Sequence, residues 1–260
     1  MEHTFAICAY KESEFLEECI LSLKNQTRKT NIIMVTSTPN DYIENLAQKY
    51  QIPMYINRGE SGITQDWNFA YEQANTDYIT IAHQDDIYDS HYVEKLFEYM
   101  EKAKKPLMFF TDYYEIRDGK KVKNNTLLKI KRIMLTPLKV RIFWNSKFVR
   151  RRILSLGSPI CCPSVTYVKD NLMNPVFLNH FRTNEDWETW ERISRLKGAF
   201  VYCDMPLTFH RIHAGSETSA AIAETGRSEE DYVMYRKFWP SWIARILVKL
   251  YGTSEKSNSV

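Results

Sequence analysis

The chain has 260 residues, a formal net charge of +3, 44% hydrophobic and 26% charged residues, which bounds it to one large globular domain or one domain with an appendage. So small a net charge predicts no nucleic-acid partner, and no run approaches the ~18 apolar residues of a spanning helix. Met1-Glu2-His3-Thr4-Phe5 lacks the charged leader and long apolar region of a signal peptide, so a cytoplasmic location is expected. The five cysteines, with Cys161-Cys162 adjacent, show no metal-type spacing and read as reduced, mostly buried thiols.

Phe5-Ala6-Ile7-Cys8-Ala9 opens the chain as a buried strand. Ser13 is placed to cap a helix with Phe15, Leu16, Cys19, Ile20 and Leu23 on one face. Ile32–Val35 is a second strand, residues 41–50 a helix with Tyr42, Ile43, Leu46, Ala47 and Tyr50 aligned, and Pro53–Ile56 a third strand. Gly59 and Gly62 punctuate a loop before a helix over 64–74. Residues 77–82 form a fourth apolar strand that stops at His83, Asp85 and Asp86. This alternation predicts a parallel sheet with crossover helices. A helix over 90–102, a strand over 107–111 and a turn at Asp118-Gly119 follow. Residues 127–156 are helix-prone with a break at Pro137. A loop over 157–164 leads to a strand at Val165–Val168. Asn184 is placed to cap a helix carrying Trp187, Trp190, Ile193 and Leu196. Phe200–Cys203 is another strand, and a last helix starts near Pro240 and runs to Leu250, ahead of an irregular polar tail over 252–260.

Three groups can carry chemistry. His83, Asp85 and Asp86 stand at a strand end, where ligands bind in open α/β sheets; alternatively, the two carboxylates merely start the next helix. Glu185 and Asp186 stand in a first helical turn, as a general base or as complements to the dipole. His210, Arg211 and His213 form a cationic cluster. A divalent cation held by carboxylates can meet substrate phosphates, and an imidazole ligand tilts the choice from Mg toward Mn.

From about Phe5 to Thr218 these residues resemble the family 2 glycosyltransferases with the A-type (GT-A) nucleotide-sugar fold. Residues 10–27, ending Asn25-Gln26-Thr27, are similar to that family's first loop and helix. Gly62 and Asn68 fall where the family has a glycine and an asparagine before the metal strand. Gln84-Asp85-Asp86-Ile87-Tyr88 looks like the Asp-x-Asp region, Glu185-Asp186-Trp187 like the catalytic acidic pair, and Arg211-Ile212-His213, followed by Ser216 and Thr218, like the late Arg-x-His segment. The resemblance implies a Rossmann-like, mostly parallel sheet with flanking helices and a helical basic C-terminal part. It divides the chain into a donor-binding half (1–120), an acceptor and catalytic half (121–236) and an amphipathic C-terminal helix with its tail (237–260). It implies inverting transfer of a sugar from a nucleotide-sugar donor to a carbohydrate or lipid-linked acceptor. Asp186, with Glu185, would serve as base; Tyr10, Glu12, Ser37, Gly62, Asn68, His83 and Arg211 would contact the donor; Asp85, His83 and His213 would hold Mn or Mg. Two departures stand out. Thr36-Ser37-Thr38-Pro39 replaces the usual Asp-Asp-Gly-Ser, leaving Ser37 where an Asp meets the nucleobase or ribose, and His83 replaces the first Asp of Asp-x-Asp.

Two other functions fit parts of the pattern. A sugar nucleotidyltransferase also uses carboxylate-held metal, but Tyr10-Lys11-Glu12-Ser13 lacks the glycines of its phosphate loop. A non-catalytic sugar-nucleotide scaffold would account for Ser37 and His83, though not for the retained acidic pair. Finally, no acidic residue lies between Asp118 and Asp170, where cations interleave with apolar residues over 129–152. With Lys237, Arg245 and Lys249 beside the Trp-rich last helix, this block suits either the inner face of a membrane or a solvated surface packed on the domain.

Overall fold

The computed structural model of the chain describes residues 1–60, 62–213 and 227–255. Its first half alternates β1 (His3–Ala9), α1 (Leu16–Lys24), β2 (Asn31–Thr36), α2 (Asp41–Lys49), β3 (Met54–Ile56), α3 (Ile63–Gln73) and β4 (Tyr78–His83). These four strands are parallel, with Ala6 of β1 flanked by Ile33 of β2 and Ile81 of β4. Phe5, Ala6, Ile7, Ile79 and Ala82 are fully buried. Helices cover both faces of a parallel sheet, so its inner strands read as continuous apolar runs rather than alternating ones.

The second half adds β5 (Ile87–Tyr88), α4 (Tyr92–Met100), β6 (Pro106–Arg117), β7 (Lys120–Val122), α5 (Thr126–Leu135), α6 (Lys147–Leu154), β8 (Val165–Val168), α7 (Glu185–Ser194), β9 (Ala199–Ile212), α8 (Arg227–Arg236) and α9 (Ser241–Glu255). One mixed sheet results, in the order β3-β2-β1-β4-β8-β6-β9-β5, with β7 pairing β6. The chain winds outward from β1 to β3, then returns to place β4 on the other side of β1. That reversal opens a crevice at the carboxyl ends of β1 and β4, where such sheets bind ligands.

β9 is the long-range connector. Its start runs parallel to β6, the ladder shifts register around Thr111–Tyr113, and its end pairs antiparallel with β5. A bulge of this kind bends a strand, and here it carries His210 to His213 back to the end of β4. The Asp118-Gly119 turn forms as expected, with φ of 47° and 69°, the left-handed pair of a tight two-residue hairpin.

Several expectations change. Ser13 Oγ accepts from the Phe15 N–H at 3.3 Å, making a turn ahead of α1 instead of capping it. Asn184 stands at the start of α7, but its amide donates to Asp231 Oδ1 of α8 at 2.8 Å and makes no cap. The sequence reading did not foresee α8. The last helix passes Leu250 and takes in Gly252 to Glu255, so that part of the expected tail is helical; Ser216, Thr218 and residues 256–260 lie outside the described residues. The basic block is also partly internal. Arg150 is 1% exposed, its guanidinium donating to the carbonyls of Ser194, Leu196 and Gly198. Ser194 ends α7, where a cation complements the helix dipole, and Leu196 and Gly198 follow it in the chain.

Candidate active site

β4 ends at His83, and the chain then turns over the carboxyl edge of the sheet. Asp86 starts no helix here; α4 begins only at Tyr92. Asp86 is instead fully buried, accepting from the Arg211 backbone N–H at 2.8 Å and from His210 Nδ1 at 3.1 Å. The register explains it: Ile87 pairs with Phe209, so one step outward Asp86 faces His210. Burial alone would raise the Asp86 carboxyl. The charge and hydrogen bond of His210, with His83 and the Arg211 N–H, outweigh burial and hold it below the ordinary carboxylate value. Burial lowers His210, but Asp86 more than compensates, leaving it above the usual imidazole value. For His83 burial wins and the ring is held below that value.

Asp85 remains half-buried at the rim, its Oδ2 3.1 Å from His213 Nε2. Arg211 fixes this loop: its Nε donates to the Asp85 carbonyl at 2.9 Å, its Nη2 to Glu18 Oε2 at 2.5 Å, and its guanidinium lies 4.2 Å from the Phe15 ring centre. The Arg211 guanidinium, expected to meet the donor, holds the loop after β4 against α1. His83 stacks on Trp67 at 5.4 Å, and its buried Nε2 has no hydrogen-bond partner among the described residues. Ligand atoms of His83, Asp85 and Asp86 lie within 4.8 Å of one another. Carboxylate oxygen with imidazole nitrogen at this spacing fits a divalent cation, with Asp85 as the open carboxylate and Asp86 behind it.

The remaining residues expected to contact the donor follow the same edge. The Tyr10 N–H and carbonyl both pair with the Gln84 amide, at 2.9 and 3.0 Å, and the Lys11 N–H donates to Thr38 Oγ1 at 2.6 Å. The loop after β1 is therefore tied to the loops after β4 and β2, with the Tyr10 and Glu12 side chains exposed. Ser37 Oγ donates to Asp66 Oδ2 at 2.7 Å. Gly62 precedes α3. Asn68 exchanges two hydrogen bonds with the Phe177 backbone, at 2.9 and 3.1 Å, and so clamps that segment onto α3.

Glu185 and Asp186 begin α7, where the helix N-terminus favours negative charge. Glu185 is buried; Asp186 is half-buried, its Oδ1 accepting from the Trp187 N–H at 2.5 Å. The helix is anchored by Trp187, whose indole N–H donates to the Leu154 carbonyl at 3.0 Å. Burial pushes the Cys162 thiol up, and Asp186, Cys161, Glu185 and Asp86 all push it further. Sequence reading missed Glu18, Asp66 and Asp231. Each looks locally like an ordinary helix-turn carboxylate, and only tertiary contacts set it apart.

The sequence pattern of glycosyl transferase family 2 matches residues 4–170. No curated protein matches the sequence. Among solved structures, S. aureus TarS 1–349 in complex with UDP-GlcNAc is similar over 100% of this chain and 74% of its own, at 14% identity and a TM-score of 0.65. The mannosyltransferase PcManGT from Pyrobaculum calidifontis, in complex with GDP-Man and Mn2+, is similar over 99% of this chain and 72% of its own, at 12% identity and a TM-score of 0.66. At such identities the neighbours establish the GT-A fold, and the family pattern, spanning more than half of the sequence, establishes the class: the chain belongs to glycosyl transferase family 2 and is a glycosyltransferase.

Proposed function

We propose that the chain is a divalent-cation-dependent, inverting glycosyltransferase that moves a sugar from a nucleotide donor to a hydroxyl acceptor in bacterial surface polysaccharide or glycoconjugate synthesis. The observation that carries this reading is the end of β4, where His83, Asp85 and Asp86 bring ligand atoms within 4.8 Å of one another and His213 meets Asp85 at 3.1 Å, in a chain of glycosyl transferase family 2. Asp85, His213 and His83 would hold the cation, which when bound would offset the charge of the departing nucleoside diphosphate. Arg211 keeps Asp85 in place through its carbonyl. Asp186 is the more open of the acidic pair and takes the acceptor hydroxyl proton as that oxygen attacks the anomeric carbon. Glu185, deeper in the helix start, orients it. The halves 1–120 and 121–236 act as donor and acceptor sides of one sheet.

The neighbours' ligands, UDP-GlcNAc and GDP-Man, are the first donors to try. Asp186→Asn should lower transfer or donor hydrolysis by about 10²–10⁴-fold, as expected for loss of a general base, with donor binding retained. Turnover close to wild type would refute the role of Asp186. Binding without any turnover in the wild type would leave a non-catalytic scaffold.

The acceptor side includes an apolar, cationic surface. Ile133, Ile142 and Phe148 are 71%, 79% and 73% exposed, and Trp242, Ile246 and Leu250 line the outer side of α9 at helical spacing. Arg152 bridges the two regions, stacking on both Phe148 and Trp239. No helix among the described residues is long and apolar enough to cross a membrane. This surface suits peripheral contact with an anionic bilayer on its cytoplasmic face, where a lipid-linked acceptor would be presented.

A further inference from the structure

The carboxyl edge of the sheet carries one carboxylate that the reading above does not use. Asp66 lies in the first turn of α3 and leans over the ends of β2 and β3. Ser37, just past β2, donates to its Oδ2 at 2.7 Å, and Asn57, just past β3, donates from Nδ2 to its Oδ1 at 2.7 Å. Asp66 is half-buried, and among the described residues no Lys or Arg forms an ion pair with it. Each oxygen thus takes one neutral donor. A carboxylate has about four lone-pair positions, so acceptor capacity remains on both oxygens. Fixing a carboxylate this way, with no cation against it, leaves an oriented acceptor at this edge of the sheet rather than a neutralised strut.

Its position relative to the cation group is also informative. Asp85 follows β4, and Ser37 follows β2, with β1 between them. Two strand spacings amount to about 10 Å, comparable with the separation of base and diphosphate in one nucleotide. Between the two ends runs the β1 loop, whose backbone is tied to both through Gln84 and Thr38.

We propose, resting on the nucleotide-sugar reading above, that Asp66 reads the nucleobase of the donor, with Ser37 and Asn57 as positioning residues. A fixed carboxylate can only accept. It therefore selects a base that presents a ring N–H at its pairing edge, uracil through N3–H or guanine through N1–H and its exocyclic amino group. Cytosine and adenine carry a ring acceptor there and are repelled. Ser37 does not replace a missing carboxylate by itself; it aims one supplied by α3.

The test is binding of UDP, GDP, CDP, ADP and inorganic pyrophosphate, each with Mn, to the full chain by calorimetry. The wild type should favour UDP or GDP. Asp66→Asn, nearly isosteric, should weaken that nucleotide by about 10- to 100-fold, the range of one charge-assisted hydrogen bond. It should leave pyrophosphate unchanged and narrow the gap to CDP and ADP, because its amide can donate to their ring nitrogen. Ser37→Ala should move the same preference less, in the same direction. Unchanged selectivity in Asp66→Asn, or an equal loss of pyrophosphate, would overturn the assignment while leaving the glycosyltransferase reading intact. Failure of every nucleotide to bind the wild type would instead remove the donor reading, and this proposal with it.

Discussion

Replacing Asp86 by Asn separates two accounts of the acidic strand end. Asp86 is fully buried, accepts at 2.8 Å from the Arg211 N–H and at 3.1 Å from His210, and stands 3.7 Å from His83. Asn keeps one acceptor for the Arg211 N–H but removes the charge that His210 faces. Removing one member of a buried charged pair costs about 3–5 kcal/mol, and the retained hydrogen bond puts Asp86→Asn near the lower end, about 3 kcal/mol. That is a large fraction of the roughly 5–15 kcal/mol available to a domain. Urea unfolding followed by tryptophan fluorescence should show a lower midpoint at unchanged slope. Because the pair is shielded from solvent, the loss should persist in 1 M salt. A carboxylate merely complementing a helix dipole would contribute only about 0.3–1 kcal/mol and would be screened. A loss below about 1 kcal/mol, or one erased by salt, would refute the strut and restore the helix-start account.

Two further predictions concern other surfaces. His3 is buried between Thr30 and Thr80, at 2.7 and 2.8 Å from their hydroxyls, and burial lowers its pKa to about 3. The unfolded chain binds the proton first, so stability falls as pH drops below about 6.5 and continues to fall until about 3. His3→Gln should flatten the stability change between pH 6.5 and 4.5 by up to about 2–3 kcal/mol; an unaltered acid slope in urea titrations would contradict this. For the exposed apolar surface, the full chain should float with phosphatidylglycerol vesicles and not with phosphatidylcholine vesicles. Phe148→Glu with Trp242→Glu should weaken flotation by about 10- to 100-fold, the worth of burying an aromatic side chain. Equal flotation of the double variant would exclude this face.

What the sequence made legible, it made legible through local rules. Phe5–Ala9 and residues 78–82 are strands because both faces of a parallel sheet are covered, and continuous apolar runs record that directly. Asp118-Gly119 announces its hairpin because few other pairs adopt two left-handed residues. The unread parts depend on partners distant in sequence. Nothing near residue 210 indicates that β9 bends at its register shift and meets β5, yet that pairing decides the environment of Asp86. Arg150 sits among cations that look solvated, and only its burial against the carbonyls of Ser194, Leu196 and Gly198 sets it apart from Arg151 and Arg152. The last helix is Trp-rich in sequence, yet Ala244 packs inward while Trp242 is 66% exposed.

His83, the residue that departs from the family pattern, is best understood with its neighbours. A carboxylate at this position would add a negative charge beside the buried Asp86, and like charges at such separation disfavour joint ionisation. Imidazole avoids that conflict. Burial lowers the His83 ring below the usual imidazole value, while Asp86 raises His210 above it. The flat ring also supplies the stacking surface for Trp67, which in turn packs edge-on against Phe177 at 5.1 Å, the segment that Asn68 clamps. The substitution therefore couples three features: one half-buried carboxylate at Asp85, an imidazole nitrogen beside it, and an aromatic wall leading from the end of β4 to α3. A site with fewer charges and more imidazole binds a hard cation such as Mg less well than it binds Mn, so, under the proposed cation role, the same residue that relieves the charge crowding at Asp86 would also shift the metal preference toward Mn.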